Sequence, residues 1–572
     1  MSSSTADKIV KAGITVIIAH VIFKLMGLIQ NIILPWYFKD KVAALDAFVI
    51  AFEGIILMIF LIGEESIGPA FLPVFSEEKN KGSEKKAWQF ANGLLSIHTV
   101  LILLISLFII IKSEFVVKCI NVFSGNGYQC EGPKNVFIKE LLQYMGLGLV
   151  GLSLGSTTYM ILNGFKRFFW AAFGDTLTKA AIIIAVLFLY KRETAEIYHS
   201  SAVLALGIGC AVGGFAKLAG HLWGLRDKLP YMFSTKPVIQ SPAFKKFCIL
   251  VAPLLAGIVF SKAREFINNI LILNNIEIDG IISARSWGSK LYKTVGWFIP
   301  YGIAIAMFPY FCDMIDKDNK RELGHFLTDS SQILLLFFFP ITAGGAILSY
   351  PMISLLFGHG NTEWIGWASA ANVCYMLVLP FYSLEYFFLQ GFFADRRMVT
   401  PIVLGIVCSS ISVGISFFVV IVLQVHIAYS PAYAVAAVAL GYTFSRALKI
   451  VLFIHFFKKN IPVFTSGRSA VFFIKLFIIT AAVSAAAFFA KQGFFLISGP
   501  LWSETRKLLL AQILISTIAG GAAFLVCVYI LKVREFKTAV SWALQKIRRS
   551  RNQTDDSRQD PASIREEQHD GS

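Results

Sequence analysis

Charge is scarce in this chain. Only 15% of its 572 residues are Asp, Glu, Lys or Arg, against roughly 25% in soluble domains. So little polar surface cannot cover a water-soluble protein of this length. Acidic residues are the scarcer sign, 35 against 52 Lys plus Arg, for a formal net charge of +17. Cysteine is rare as well, eight in all, which excludes a disulfide-built scaffold. There is no G-x-x-x-x-G-K-[ST] loop, no H-E-x-x-H pair and no Cys/His set at zinc spacing. The chain is therefore not expected to be an enzyme, to carry a cofactor or to hold a metal. The positive charge belongs to no extramembrane domain, so nucleic acid is not an expected partner.

What the chain has in abundance is apolar sequence, 56% of its residues, with a mean hydropathy of +0.67. Many runs reach the roughly 20 residues that a membrane-spanning helix needs. The expected fold class is an all-α polytopic membrane protein of about fourteen spans. They run near 10–37, 41–66, 88–111, 136–162, 168–190, 200–223, 247–273, 281–311, 326–357, 364–392, 399–424, 431–457, 469–491 and 507–531. Loops near 274–280, 358–363 and 425–430 hold no Lys or Arg, whereas the alternate loops carry Lys79, Lys85, Lys86, Lys166, Arg167, Lys236, Arg396 and Arg397. The positive-inside rule then places both termini in the cytoplasm. After Lys532 a basic amphipathic stretch is expected on the inner leaflet, followed by a polar tail from Asn552.

The chain repeats itself. AFLPVFSE at 70–77 recurs as AMFPYFCD at 306–313, and YMILNGF at 159–165 recurs as YFFLQGF at 386–392. The shift is six spans, an even number, so the two halves run parallel. The expected division is a first lobe over 1–223, a second over 224–460, a trailing helix pair over 461–531 and a cytoplasmic tail over 532–572. Cys119 and Cys130 share the loop between spans three and four; they are either a disulfide or two unrelated thiols.

The leading pair of spans in each lobe carries charge where lipid-buried helices should not. His20, Lys24, Gly27 and Asn31 share one helix face, and so do Asp46, Glu53 and Glu64. Span seven holds Lys262, Arg264 and Glu265; span eight holds Arg285, Lys290 and Lys293. Ionisable groups at membrane depth cost at least about 2.5 kcal/mol and face bundle interiors or wet cavities. Facing lobes would make these walls a cationic cavity suited to a phosphate or diphosphate. The alternative is structural: Lys24 paired with Asp46 or Glu53, and Arg264 with a carboxylate, simply holding helices together.

The run LDAFVIAFEGIILMIFLIGEESIGPAFLPVFSEEKNKG, from Leu45, resembles the second span and following loop of the murein lipid II flippases, the MurJ/MviN group. LQGFFADRRMVTP, from Leu389, resembles the same family's tenth-span end. The resemblance implies a V-shaped two-lobed fold and alternating access. The implied function is flipping of lipid II, a polyprenyl-diphosphate-linked peptidoglycan precursor, across the bacterial inner membrane. The alternatives are a flippase for another polyprenyl-diphosphate oligosaccharide or a non-transporting scaffold. Membrane lipids and other cell-wall synthesis proteins are further implied partners. Family arginines fall on Lys24 and Lys290, and the family aspartate on Asp46. A second arginine and its following aspartate fall on Gln30 and Asn31, a span-two arginine pair near Ile59 and Phe60, and a span-eight glutamate on Lys293. Lysine keeps the charge of arginine but loses its bidentate fork. The sodium site of some members needs an acidic group on span eleven, and residues 399–424 contain none. The expected substrate set is Lys24, Asn31, Asp46, Glu53, Arg264, Lys290 and Lys293.

Overall fold

The computed structural model describes residues 25–122, 132–191, 196–298, 311, 314–315, 319–358, 361–395, 397, 399–464, 467–498, 506–537 and 540–541. Lys24, Cys130, most of the 306–313 repeat, Arg396 and the tail from 542 lie outside them. The described chain is helical, with no strand among these residues. The helices are α1 (Leu25–Tyr37), α2 (Val42–Asn80), α3 (Glu84–Ile111), α4 (Pro133–Gly164), α5 (Phe168–Leu189), α6 (Ser200–Gly224) and α7 (Pro242–Asn274). Then follow α8 (Ile281–Gly288), α9 (Lys290–Phe298), α10 (Lys320–Ile347), α11 (Ser349–Phe357), α12 (Thr362–Met376) and α13 (Leu379–Ala394). The last four are α14 (Val399–Val422), α15 (Pro431–Lys458), α16 (Gly467–Ser498) and α17 (Arg506–Ile530).

Among the described residues, eleven helices are long and apolar enough to cross a membrane, and twelve if α12 and α13 form one broken span. The first and eighth expected spans fall partly outside the described residues; α1, α8 and α9 are their described parts. The count is compatible with fourteen.

Local sequence explains several boundaries. Ser83 caps α3, its hydroxyl accepting from Lys86 N at 3.3 Å, and Ser241 caps α7, accepting from Phe244 N at 3.1 Å. Pro133 and Pro242 open α4 and α7, where a missing N–H costs nothing. Pro69 and Pro73 lie inside α2 and remove two of its ladder donors. Between Val49 and Ile56, α2 widens into a π-helical stretch, and α7 does the same between Ile267 and Leu271.

By packing, the chain falls into two compact units. One comprises 1–291, 349–375 and 402–445; the other comprises 292–348, 376–401 and 446–572. In the first unit α4, α5 and α6 form a tight trio. A Cβ on Gly214 would lie 2.2 Å from the Gly148 carbonyl oxygen, so α4 and α6 meet backbone to backbone. With no hydrophobic gain available in lipid, such close contact between small residues is what holds spans together. At one end of this unit Phe71, Phe75, Trp88 and Phe90 build a buried aromatic cluster. The first pair of repeated segments meets there: Phe75 packs edge-on to Phe165 at 5.4 Å. In the second unit Phe311 packs on Phe387 at 6.3 Å, so the second pair of repeated segments also meets. The repeats are therefore paired packing surfaces in both halves of the sequence.

The second unit is otherwise built on α10, α13, α16, α17 and the end of α15. Two lysines of α16 tie it together through carbonyls at helix ends. Lys475 Nζ donates to Leu531 O at 2.7 Å and Lys491 Nζ to Ile347 O at 3.0 Å.

Candidate substrate site

The first unit brings α2 against α8 and the start of α9. Asp46 is fully buried on α2. Its carboxylate accepts from Gly280 N at 2.9 Å and Ser283 N at 2.7 Å. Those amides belong to the first turn of α8, whose own cap, Gly280, has no side chain and sits at φ 91°. Asp46 is thus an N-cap supplied by a different helix, in favourable alignment with the α8 dipole. Lys134 Nζ stands 3.8 Å from the same carboxylate.

Glu53 lies in the widened stretch of α2. Its Oε1 accepts from Lys290 Nζ at 2.5 Å, and its Oε2 from Ser286 Oγ at 2.7 Å. Trp287 Nε1 donates to Asn31 O at 2.8 Å, and the Lys290 ammonium lies 5.6 Å from the Trp287 ring centre. Four of the seven expected substrate residues, Asn31, Asp46, Glu53 and Lys290, are therefore within one helix junction. Arg264 is buried elsewhere in the unit, beside Glu265 at 3.3 Å and 5.5 Å from the Tyr442 ring. Lys293 is exposed, and it belongs to the second unit. Lys24 and Cys130 lie outside the described residues; Cys119 is exposed.

Two other charges of spans seven and eight are buried and partnered. Arg285 is buried and donates to Tyr375 Oη at 3.0 Å; Lys262 is buried and pairs with Glu65 at 2.9 Å. Two further clusters were not legible as such. Lys217 is enclosed against Asp175 and Glu64 in the first unit. In the second unit Glu385 receives both Arg446 and Lys449, the latter at 2.7 Å. Arg446 and Lys449 stand three residues apart on one face of α15, which lets them share that partner. GLSLG at 151–155 fits the G-x-S-x-G pattern of a hydrolase nucleophile, but it sits in the middle of α4 with Ser153 buried. Its glycines serve helix packing, since the motif needs a strand-to-helix elbow.

Between the candidate spans, Arg167 before α5 donates to Gly224 O at 2.7 Å and forks onto Asp227, with Nη2 to Oδ2 at 2.6 Å. That hydrogen bonding pulls the Asp227 carboxyl down to about 2.

The profile of the family described as "Lipid II flippase MurJ" matches residues 40–499. The chain belongs to the lipid II flippase MurJ family. A relative named "Probable lipid II flippase MurJ" from Borreliella burgdorferi is 28% identical over 416 residues, 72% of this chain and 78% of the relative. Among solved structures, "Lipid II flippase MurJ, inward closed conformation" matches with a TM-score of 0.66 at 21% identity, covering 90% of this chain and 98% of that one. A multidrug resistance MATE family transporter of the MOP superfamily in outward-facing conformation matches with a TM-score of 0.55 at 13% identity, covering 79% and 95%. This chain is thus a multi-pass membrane protein of a bacterial MurJ family, and it shares one helical fold with MurJ and MATE transporters.

Proposed function

We propose that this chain flips lipid II from the cytoplasmic to the outer leaflet of the bacterial inner membrane by alternating access. The match of the MurJ family profile over residues 40–499 carries this reading. Alternating access is supported by the fold itself, which occurs in an inward closed MurJ structure and an outward-facing MATE structure. Both termini face the cytoplasm. The chain works as lobes over 1–223 and 224–460, followed by the pair over 461–531 and the tail over 532–572. Other cell-wall synthesis proteins are its protein partners.

The substrate diphosphate is held by Lys24, Lys290 and Arg264, with Asn31, Asp46 and Glu53 positioning them. Glu53 serves in two ways. It keeps the Lys290 ammonium oriented, and it is the anion that a diphosphate displaces. Both the bond given up and the bond gained are charge-assisted, and a diphosphate offers more negative charge and more acceptor oxygens than one carboxylate, so the exchange favours loading. The test is rescue of a cell depleted of its own flippase. Lys24→Ala with Lys290→Ala should accumulate in the membrane yet fail to rescue growth, and the paired Lys→Arg variant should rescue it. Full growth of the double alanine variant overturns the cationic site; failure of the wild-type chain overturns the function.

A further inference from the structure

One end of the first unit carries a surface that the site above does not use. Three connections form it: 77–86 between α2 and α3, 164–170 between α4 and α5, and 224–246 between α6 and α7. Together they hold eleven Lys and Arg against four Asp and Glu. Three of the four acids are answered within the surface itself, Glu77 by Lys246, Glu84 by Lys228 and Asp227 by Arg167. Those pairs join the connections to one another. The excess positive charge therefore sits on a folded face and is not spread along separate loops.

Residues 225–241 form a strap across this end. The buried Asn92 of α3 donates its side-chain amide to Met232 O at 2.7 Å and to Thr235 O at 2.8 Å. Val238 N donates to Gln89 O at 3.2 Å. A Cβ on Gly93 would lie 2.9 Å from Val238 O, so the strap backbone rests directly on α3. In the helical turn of the strap, Leu229–Ser234, Leu229 and Met232 pack onto the cluster around Phe71 and Trp88. Tyr231 and Phe233 stay outside, 48% and 77% exposed. The strap thus has a fixed inner face and an aromatic outer one.

The outer face continues a lipid-facing stripe. On α6, Val212, Phe215, Ala219 and Trp223 follow at i, i+3, i+7 and i+11, and all four are exposed. That helix is apolar and long enough to span, so the stripe meets hydrocarbon. At its end the Arg226 guanidinium lies 5.5 Å from the Trp223 ring centre, and the Lys228 ammonium 5.6 Å from the Tyr231 ring centre. Trp and Tyr with cations beside them belong at headgroup depth, the rings in the acyl border and the charges at the phosphates.

We infer that this surface is a docking site for the anionic phospholipids of the leaflet it borders, which the loop charges make the inner one. Tyr231 and Phe233 enter the acyl border, and Arg226, Lys236 and Lys245 hold headgroup phosphates. A free phosphate would answer the cations but leave the rings in water. A soluble acidic protein would have to displace lipid from a face that runs on into the stripe of α6. Asn92 ties the strap to α3, and Ser241 at its end caps α7. The docked leaflet therefore holds the ends of α3 and α7 together. The inference does not depend on what the protein transports.

The test uses full-length protein in vesicles of equal phosphatidylglycerol and phosphatidylcholine, with a photocrosslinking phenylalanine analogue in place of Phe233 and the adducts identified by mass spectrometry. Phosphatidylglycerol should be captured severalfold over phosphatidylcholine. Each cation near an anionic surface contributes about fivefold, so Arg226→Gln, Lys236→Gln and Lys245→Gln together should bring the ratio near one with an unchanged melting profile. The pair Lys458→Gln and Lys459→Gln, in the second unit, should leave it as in wild type. Salt at 1 M, where the Debye length is about 3 Å, should lower the ratio without any substitution. A wild-type ratio near one, a triple variant as selective as wild type, a ratio indifferent to salt, or an equal loss in the Lys458 and Lys459 variant overturns the inference. In native membranes the same probe should again carry phospholipid; a protein adduct in its place overturns the inference and gives the surface to a partner protein.

Discussion

At the scale of single residues, buried polar atoms decide the outcome because each is costly to strand. Asp46 satisfies two amides of a helix it does not belong to. Asp46→Ala leaves both amides buried without an acceptor, at about 1–3 kcal/mol for each stranded group. Asp46→Asn keeps one acceptor oxygen. The alanine variant should therefore melt several degrees lower in detergent and the asparagine variant less so; equal melting of alanine and wild type would remove the cap from the account. The Arg167–Asp227 fork gives the opposite case, a pair in contact with water. Asp227 is depressed to about 2 by its hydrogen bonds to Arg167. A carboxylate lowered on folding contributes above its unfolded value and loses that contribution as pH falls through the folded one. Between pH 5 and 8 the fork therefore adds a constant amount. For a surface pair that amount is below about 1 kcal/mol. Asp227→Asn should lower the melting temperature slightly and equally at pH 5 and pH 8; a loss present at only one of those pH values would contradict the assignment.

At the scale of elements, the packing of α4 on α6 is set by absent side chains. A Cβ at Gly214 would be 2.2 Å from the Gly148 carbonyl oxygen, whereas one at Gly257 of α7 would meet nothing within 4 Å. Overpacking of this kind costs roughly 1–3 kcal/mol, and more where the obstacle is backbone. Gly214→Val should reduce accumulation and thermal stability sharply. Gly257→Ala should be neutral or slightly stabilising, because alanine favours helix by about 1 kcal/mol. Comparable losses at both positions would mean that helix propensity, not the crossing, is responsible. The widened stretch of α2 belongs to this scale as well. It holds Glu53, which meets Lys290 and Ser286 from there.

At the scale of the whole molecule, the alternation of basic and Lys/Arg-free loops sets how the chain lies in the membrane. Single cysteines placed at Lys236 and at Tyr429, both exposed, should label from opposite sides: position 236 only after permeabilisation, position 429 in intact cells. Labelling of position 429 from the cytoplasmic side would invert the topology and with it the direction of transport.

Hydrophobic run length and the loop charges are local properties, so class and approximate span positions were legible residue by residue. The repeated segments were legible too, because each carries its own packing letters; Phe75 and Phe165 in one half, and Phe311 and Phe387 in the other, do meet. The one-face pattern of Asp46, Glu53 and Glu64 was legible on α2, and each of the three meets a polar or charged group of another helix. Their partners were not legible. Asp46 finds its amides 234 and 237 residues away, Glu53 finds Lys290 at a separation of 237, and Lys217 takes Asp175 from 42 residues back. A buried charge announces that it must have a counter-charge, because desolvation is too costly otherwise. Which group supplies it depends on how the helices cross, and that is decided by glycine contacts and aromatic packing spread over the whole chain. Composition and periodicity thus determined that this protein crosses the membrane with charges inside its spans, and only the tertiary structure decided which charges answer one another.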